Sequence, residues 1–329
     1  MLNGIYEEDF LGFSYGFRPK RSQHDALDAL IVGITSTKVN WILEVDIQSF
    51  FDEVNREWLA RFLEHRIADP RILRLIQKWL KAGVLEDGIV TVGDKGTGQG
   101  SVISPLLANT YLHYSFDLWA DRWRRQEATG DMIIVRYADD LALGFEHESD
   151  ARRFWEAMRE RLQKFSLSLH PEKTRLIEFG RHAAANRKRR GLGKPETFNF
   201  LGFTLIVGKS RRGKFLLKRR SRRDRMKAKL KEVAGELRRR MHQSIPEQGA
   251  WLKQVVTGYF AYHAVPTNWA ALGAFRAELI ERWRWTLRRR SQKSALTWAR
   301  MTRLAHDWLP KPQILHPWPN QRFAVKHPR

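Results

Sequence analysis

The sequence predicts an α+β fold in which an antiparallel sheet is backed by helices, followed by a nearly all-helical, basic part. Three observations lead there. Short β-rich runs, "WILEVDI" (41–47), "MIIVRY" (132–137) and "LALGF" (141–145), are separated by amphipathic stretches with the helical period. From about residue 220 onward the pattern is helical nearly throughout. The charge is also divided: residues 1–207 carry 29 Lys and Arg against 29 Asp and Glu, whereas residues 208–329 carry 30 against 7. The whole net charge of +23 therefore belongs to the second part.

Taken in order, "SQHDALDALIVGI" (22–34) predicts a helix capped by Ser22. "WILEVDI" predicts a strand ending near Asp46. "REWLARFLEHRI" and "RILRLIQKWLKAG" predict two amphipathic helices, the second stopping near Gly83. "GIVTVGD" predicts a hairpin strand. One long helix is expected over 103–123, with Pro105 tolerated in its first turn. "MIIVRY" and "LALGF" predict strands, "SDARRFWEAMRERLQKF" a helix, and "TRLIEF" and "FNFLGFTLIV" further strands. "RHAAANRKRRGLGKPE" reads as a basic loop, and the domain boundary is expected within 181–215. The expected division is 1–207, a helical 208–310 and an irregular basic tail 311–329.

Composition excludes several classes. With 43% hydrophobic residues the chain can build a core. With no cysteine there are no disulfides, thiolate metal sites or cysteine nucleophiles, which suits a reducing cytoplasm. No apolar run is long enough to span a bilayer, so no membrane partner is expected. The basic half points to a polyanion.

The chemistry centres on "IIVRYADDLALGF" (133–145), where Asp139 and Asp140 lie between two strand-forming runs. A tight hairpin accommodates them at its tip. Adjacent carboxylates repel and raise each other's pKa, and a hard divalent cation such as Mg²⁺ removes that cost. Asp46, at the end of another strand in "LEVDIQSFFDEV" (43–54), can reach the same place. Three carboxylates from two strands suit the two-metal clamp of phosphoryl transfer.

"EVDIQSFFDEV", "GTGQGSVISPLLANTYLH", "RYADDLALGF", "SLHPEKTRLIEFG" and "FNFLGFTL" occur in the order and with the spacing of reverse transcriptase motifs. Together with "YGFRPKRSQHDAL" (15–27) and "VVTGYFAYH" (255–263), they resemble the group II intron reverse transcriptase/maturase type over roughly 5–310. The resemblance implies a right-hand polymerase palm with partial fingers and an all-helical thumb/maturase domain. It implies RNA-directed DNA polymerisation with two Mg²⁺ ions, and Asp46, Asp139 and Asp140 as the catalytic, metal-binding residues, with the Ile47 backbone beside them. Phe51 would lie under the sugar and disfavour a 2′-hydroxyl. Gln99 and Gly100 would contact the nucleotide, and Lys173 the pyrophosphate. Tyr137, Phe200, Leu201 and Gly202 would hold the primer and template.

The implied partners are intron RNA, an RNA template, a DNA primer and dNTP. Arg211, Arg212, Arg219, Arg220, Arg222, Arg223, Arg284 and Arg288 are the candidate RNA contacts, with Trp283 and Trp285 interleaved for stacking. Only "MLNGIYEEDFLGFS" precedes "YGFRP", so the expectation is a family member truncated at its N-terminal fingers and lacking a C-terminal endonuclease. The alternative expectation is a non-catalytic RNA-binding maturase.

Overall fold

The structure, a computed structural model, describes residues 2–81, 84–86, 89–91, 96, 103–290 and 296–326. It comprises two compact units, Met1–Glu196 and Thr197–Arg329. This division falls inside the 181–215 stretch and assigns the "FNFLGFTL" strands to the second unit.

The first unit runs α1 (Leu2–Asp9), α2 (Gln23–Ser36), β1 (Trp41–Asp46), α3 (Phe50–Glu53), α4 (Arg56–Glu64) and α5 (Pro70–Lys81). The hairpin strands β2 (Val84–Glu86) and β3 (Ile89–Thr91) follow, then α6 (Ser104–Leu112), a π-helical turn (His113–Asp117) and α7 (Leu118–Gln126). It closes with β4 (Met132–Tyr137), β5 (Asp140–Phe145), α8 (Glu148–Gln163), β6 (Arg175–Glu178) and α9 (Ala183–Arg189). The main sheet has the order β4-β5-β1-β6, all antiparallel. Its alternation decides the two faces. Leu43, Val45, Ile134, Leu141 and Leu143 face a core shared with Phe116, Phe154, Met158 and Leu162. On the other face α2 lies so close that a Cβ on Gly33 would come within 2.8 Å of Ile133. The start of α2 is set by the expected Ser22 cap, which forms a reciprocal capping box with Asp25.

The second unit has a three-stranded antiparallel sheet, β7 (Phe198–Phe200), β8 (Phe203–Lys209) and β9 (Phe215–Ser221). Helices α10 (Arg223–Arg239), α11 (Ile245–His263), α12 (Trp269–Arg288), α13 (Trp298–Trp308) and α14 (Pro319–Lys326) follow. Leu237, Leu252, Phe260, Phe275 and Trp283 are central to their core. Trp283 is fully buried and donates its indole N–H to Gln248 Oε1 at 2.9 Å, the partner a buried tryptophan needs.

Three local expectations differ from the structure. The 103–123 helix is interrupted by the π turn, which shifts the following face. The "RHAAANRKRRG" stretch contains α9, since three consecutive alanines favour helix. The tail is irregular only up to Trp318; Pro319 then opens α14, where its fixed φ suits a first helical position. Among the described residues no helix is long and apolar enough to cross a membrane.

Candidate active site

β4 and β5 form a two-residue hairpin whose loop is Ala138–Asp139. Ala138 takes the left-handed φ of 55° that tight hairpins require at their first loop position. Only Asp139 is therefore in the loop. Asp140 opens β5, directly opposite Tyr137 on one side and Asp46 on the other. Paired residues share a sheet face, so Tyr137, Asp140 and Asp46 line up across three strands at the end of the sheet. Beyond Asp46, the Asp46 carbonyl accepts from His170 N–H (2.8 Å) and Gln48 N–H donates to Ser168 (2.9 Å). Ile47 lies between these bonds with its side chain buried. By alternation its own carbonyl points to the opposite side, where the hairpin lies.

Burial pushes the Asp139 carboxyl pKa up, and the nearby Asp46 carboxylate adds to it; a hydrogen bond from its own backbone and the Arg136 guanidinium act against the rise. Asp46 and Asp139 thus stand close enough to feel each other's charge. Lys173 places its ammonium 3.5 Å from Asp46 Oδ2 and supplies a counter-charge. Among the described residues, no three His, Asp or Glu side chains are gathered closely enough to hold one metal ion. Asp140 is brought into register with Asp46 but is exposed. The donor chemistry fits a hard divalent cation: two carboxylates, one of them raised by burial and by its neighbour, with a backbone carbonyl beside them.

The hairpin is held from beneath by residues outside the expected set. Arg136, with no solvent exposure, spends its whole guanidinium there. Nε and Nη2 donate to Asp117 Oδ1 and Oδ2 (2.7 and 2.6 Å), Nη1 to Asn109 Oδ1 (2.9 Å) and the Ala138 carbonyl (3.1 Å), and Nη2 also to Ser14 Oγ (2.7 Å). Beside it, Tyr15 N–H donates to the Arg136 carbonyl (2.8 Å), and Arg136 N–H to that of Phe13 (2.9 Å). Gly16 sits against the loop so tightly that a Cβ would lie 2.3 Å from Ala138 N. A charge within the apolar run "MIIVRY" was the available signal, because an arginine buried in a central sheet needs an acid. The partner, Asp117, is in the equally apolar "SFDLWA".

The neighbouring phenylalanines are told apart. Phe50 is in the core, whereas Phe51 is half-buried at its edge. Phe51 also borders Gly96, whose Cβ would meet the Phe51 carbonyl at 2.9 Å. Gly96 is anchored by its N–H to Val54 O (2.9 Å) and by Arg56 Nε to its carbonyl (3.0 Å). Gln99 and Gly100 lie outside the described residues. Tyr137 is half-buried; burial raises its pKa, against a hydrogen bond with the Gln23 side chain.

In the second unit, Leu201 and Gly202 form the β7–β8 loop, both with left-handed φ (45° and 78°), and Phe200 is buried. The "FNFLGFTLIV" run is thus two strands joined by a tight turn. Both loop carbonyls are tied, that of Leu201 by Tyr262 OH (2.7 Å) and that of Gly202 by Arg222 N–H (3.1 Å). Of the basic candidates, Arg211, Arg212, Arg223 and Arg288 are exposed, and Arg220, Arg222 and Arg284 are half-buried. Arg222 forms a two-point pair with Asp224 (3.1 and 2.6 Å). Arg219 is the correction: it is 1% exposed, because β9 turns Leu217, Arg219 and Ser221 inward by strand alternation, so it offers no surface contact to phosphate. Trp285 is 49% exposed, in contrast to Trp283.

Comparison with known proteins matches these features to a family. The pattern of the family described as "Reverse transcriptase (RNA-dependent DNA polymerase)" covers residues 1–205. Protein YkfC of Escherichia coli K12 is 32% identical over 245 residues, spanning 64% of this chain and 60% of that protein. The group II intron-encoded protein LtrA of Lactococcus lactis is 41% identical over 113 residues, 34% of this chain and 18% of LtrA. This chain therefore spans less than two thirds of either relative. Among solved structures, apo telomerase from Candida tropicalis aligns with 93% of this chain and 51% of its own, at 13% identity and a TM-score of 0.49. The family pattern covers more than half of the sequence and includes both the strand end with Asp46 and the Asp139–Asp140 hairpin, so the chain belongs to the reverse transcriptase family.

Proposed function

We propose that this chain is an RNA-directed DNA polymerase of the group II intron type, which transfers dNTP to a primer 3′-hydroxyl and also binds intron RNA. The juxtaposition of Asp46 and Asp139 at one sheet end carries this reading. Asp46 and Asp139, with the Ile47 carbonyl and Asp140 beside them, would hold two Mg²⁺ ions. Bound there, Mg²⁺ lowers the pKa of the primer hydroxyl and stabilises charge on the α-phosphate and pyrophosphate. The primer oxygen forms its bond to the α-phosphorus as the bond to pyrophosphate breaks. Lys173, 3.5 Å from Asp46 Oδ2, would leave that carboxylate for the pyrophosphate and neutralise or protonate it. The half-buried ring of Phe51 favours a sugar without a 2′-hydroxyl. Gln99 and Gly100 are assigned to the nucleotide, and Tyr137 with the Phe200–Gly202 turn to the primer and template. Exposed Arg211, Arg212, Arg223 and Arg288 suit phosphate contacts along RNA.

Primer extension on poly(A) with a dT primer, dTTP and Mg²⁺ tests the reading. Extension by the chain and none by Asp139→Ala is expected; extension retained in the variant sinks the carboxylate assignment. The charge of residues 208–329, 30 basic against 7 acidic, also favours a second reading, a maturase that binds RNA without polymerising. That reading predicts no extension by either protein, with salt-sensitive RNA binding that Asp139→Ala leaves intact.

A further inference from the structure

Phe17 combines three features that its role in the fold does not explain. Its backbone is left-handed, with φ 57°, a conformation a bulky residue holds only when its surroundings impose it. The residue is 51% exposed, although burying an aromatic ring is favourable. Its ring lies 6.2 Å, centroid to centroid, from that of Tyr137, the residue before the catalytic hairpin loop.

Both flanks of Phe17 are locked. Gly16 packs on Ala138 N, and its carbonyl accepts from Asn109 Nδ2 at 2.6 Å. Arg18 is 6% exposed and donates to the Leu11 and Ser14 carbonyls (2.7 and 2.8 Å) and to Glu7 (2.7 Å). The chain around Phe17 is thus anchored to the hairpin, while the ring itself is turned outward beside it. A rigid, exposed aromatic face held at this place suits a flat apolar partner, and Lys20, exposed three residues on, adds a cation for a backbone phosphate.

We propose that Phe17 stacks on the terminal base pair of the template–primer duplex and fixes the primer end over the hairpin carboxylates. The occupant's identity rests on the polymerase reading; the presence of a stacking platform does not. A stack of this kind is worth about tenfold in kcat/KM when removed.

The test uses the full chain, an RNA template with a DNA primer, and 2-aminopurine placed in turn in each strand at the terminal pair. Phe17→Asn removes the ring, and asparagine adopts left-handed φ readily, so the variant is expected to melt no lower than the parent. The expected result is about a tenfold loss of kcat/KM and loss of the binding-induced fluorescence change in Phe17→Asn, with Phe17→Trp keeping both. Unchanged fluorescence and kinetics in Phe17→Asn overturn the proposal, as does a Phe17→Trp variant as impaired as Phe17→Asn. Should the parent chain extend no primer, the polymerase reading fails, and the fluorescence comparison decides the proposal alone: a change lost in Phe17→Asn supports it, and one that persists, or never occurs in the parent, overturns it.

Discussion

Arg136 and Asp117 form a two-point ion pair from which solvent is wholly excluded, with both N–O distances at 2.6–2.7 Å. Asp117 ends the π turn, and Arg136 is the penultimate residue of β4. The same guanidinium reaches the Ala138 carbonyl, so the loop bearing Asp139 rests on a buried charge pair. Removing one member leaves the other charged in a dry core, which costs about 3–5 kcal/mol. Asp117→Asn and Arg136→Met are each expected to lower the urea midpoint accordingly and to reduce extension. A midpoint like the parent's in either variant would mean that the pair is not the support of the hairpin.

Asp139 has the opposite relation to stability. Burial raises its carboxyl pKa above the unfolded value of 3.8, so the folded state binds the proton more tightly than the unfolded chain does. The favourable contribution is present at low pH and is lost as pH rises through the folded value. At neutral pH the ionised carboxylate therefore destabilises the fold. Asp139→Asn is expected to raise the melting temperature at pH 7 while abolishing extension, and calorimetry checks the sign. A lower melting temperature in that variant would contradict it.

Gly16 is constrained by contact rather than by φ. Its absent Cβ would meet backbone at 2.3 Å, which no rotamer change relieves. Gly16→Ala is expected to cost about 1–3 kcal/mol and to displace the hairpin, with a matching fall in kcat. Gly12→Ala, with nothing within 4 Å of the added atom, is the control expected to behave like the parent. Equal melting curves for the two variants would refute the close packing.

His263 makes the second unit sensitive to acid. Burial holds its pKa down to about 4, with Nδ1 3.1 Å from Ser221 Oγ and the ring stacked 4.3 Å from that of Tyr259. The folded imidazole stays neutral while the unfolded chain takes up a proton below pH 6.5. Stability is thus complete above that pH and falls by up to about 3 kcal/mol as pH drops to 4. Denaturant titrations from pH 7 to 4 should show this slope, and His263→Gln should flatten it. A slope unchanged by the substitution would assign the acid sensitivity to other groups.

Much of the candidate active site was legible in one dimension because strand chemistry is local. Alternating apolar runs around "ADD" specify a hairpin, Ser22 specifies a helix start, and the ordered motifs identify the family. The sequence by itself also determined where the positive charge lies, since a count needs no folding. Tertiary structure alone decided which adjacent residue does what. It put Asp139 in the loop and Asp140 in the strand, and it buried Phe50 and Trp283 while leaving Phe51 half-buried and Trp285 exposed. It took Arg219 out of the basic surface and joined Arg136 to Asp117. The strand choices depend on register, since a shift of one residue there reverses the face of every side chain, and the Arg136–Asp117 pair depends also on the π turn that Asp117 ends.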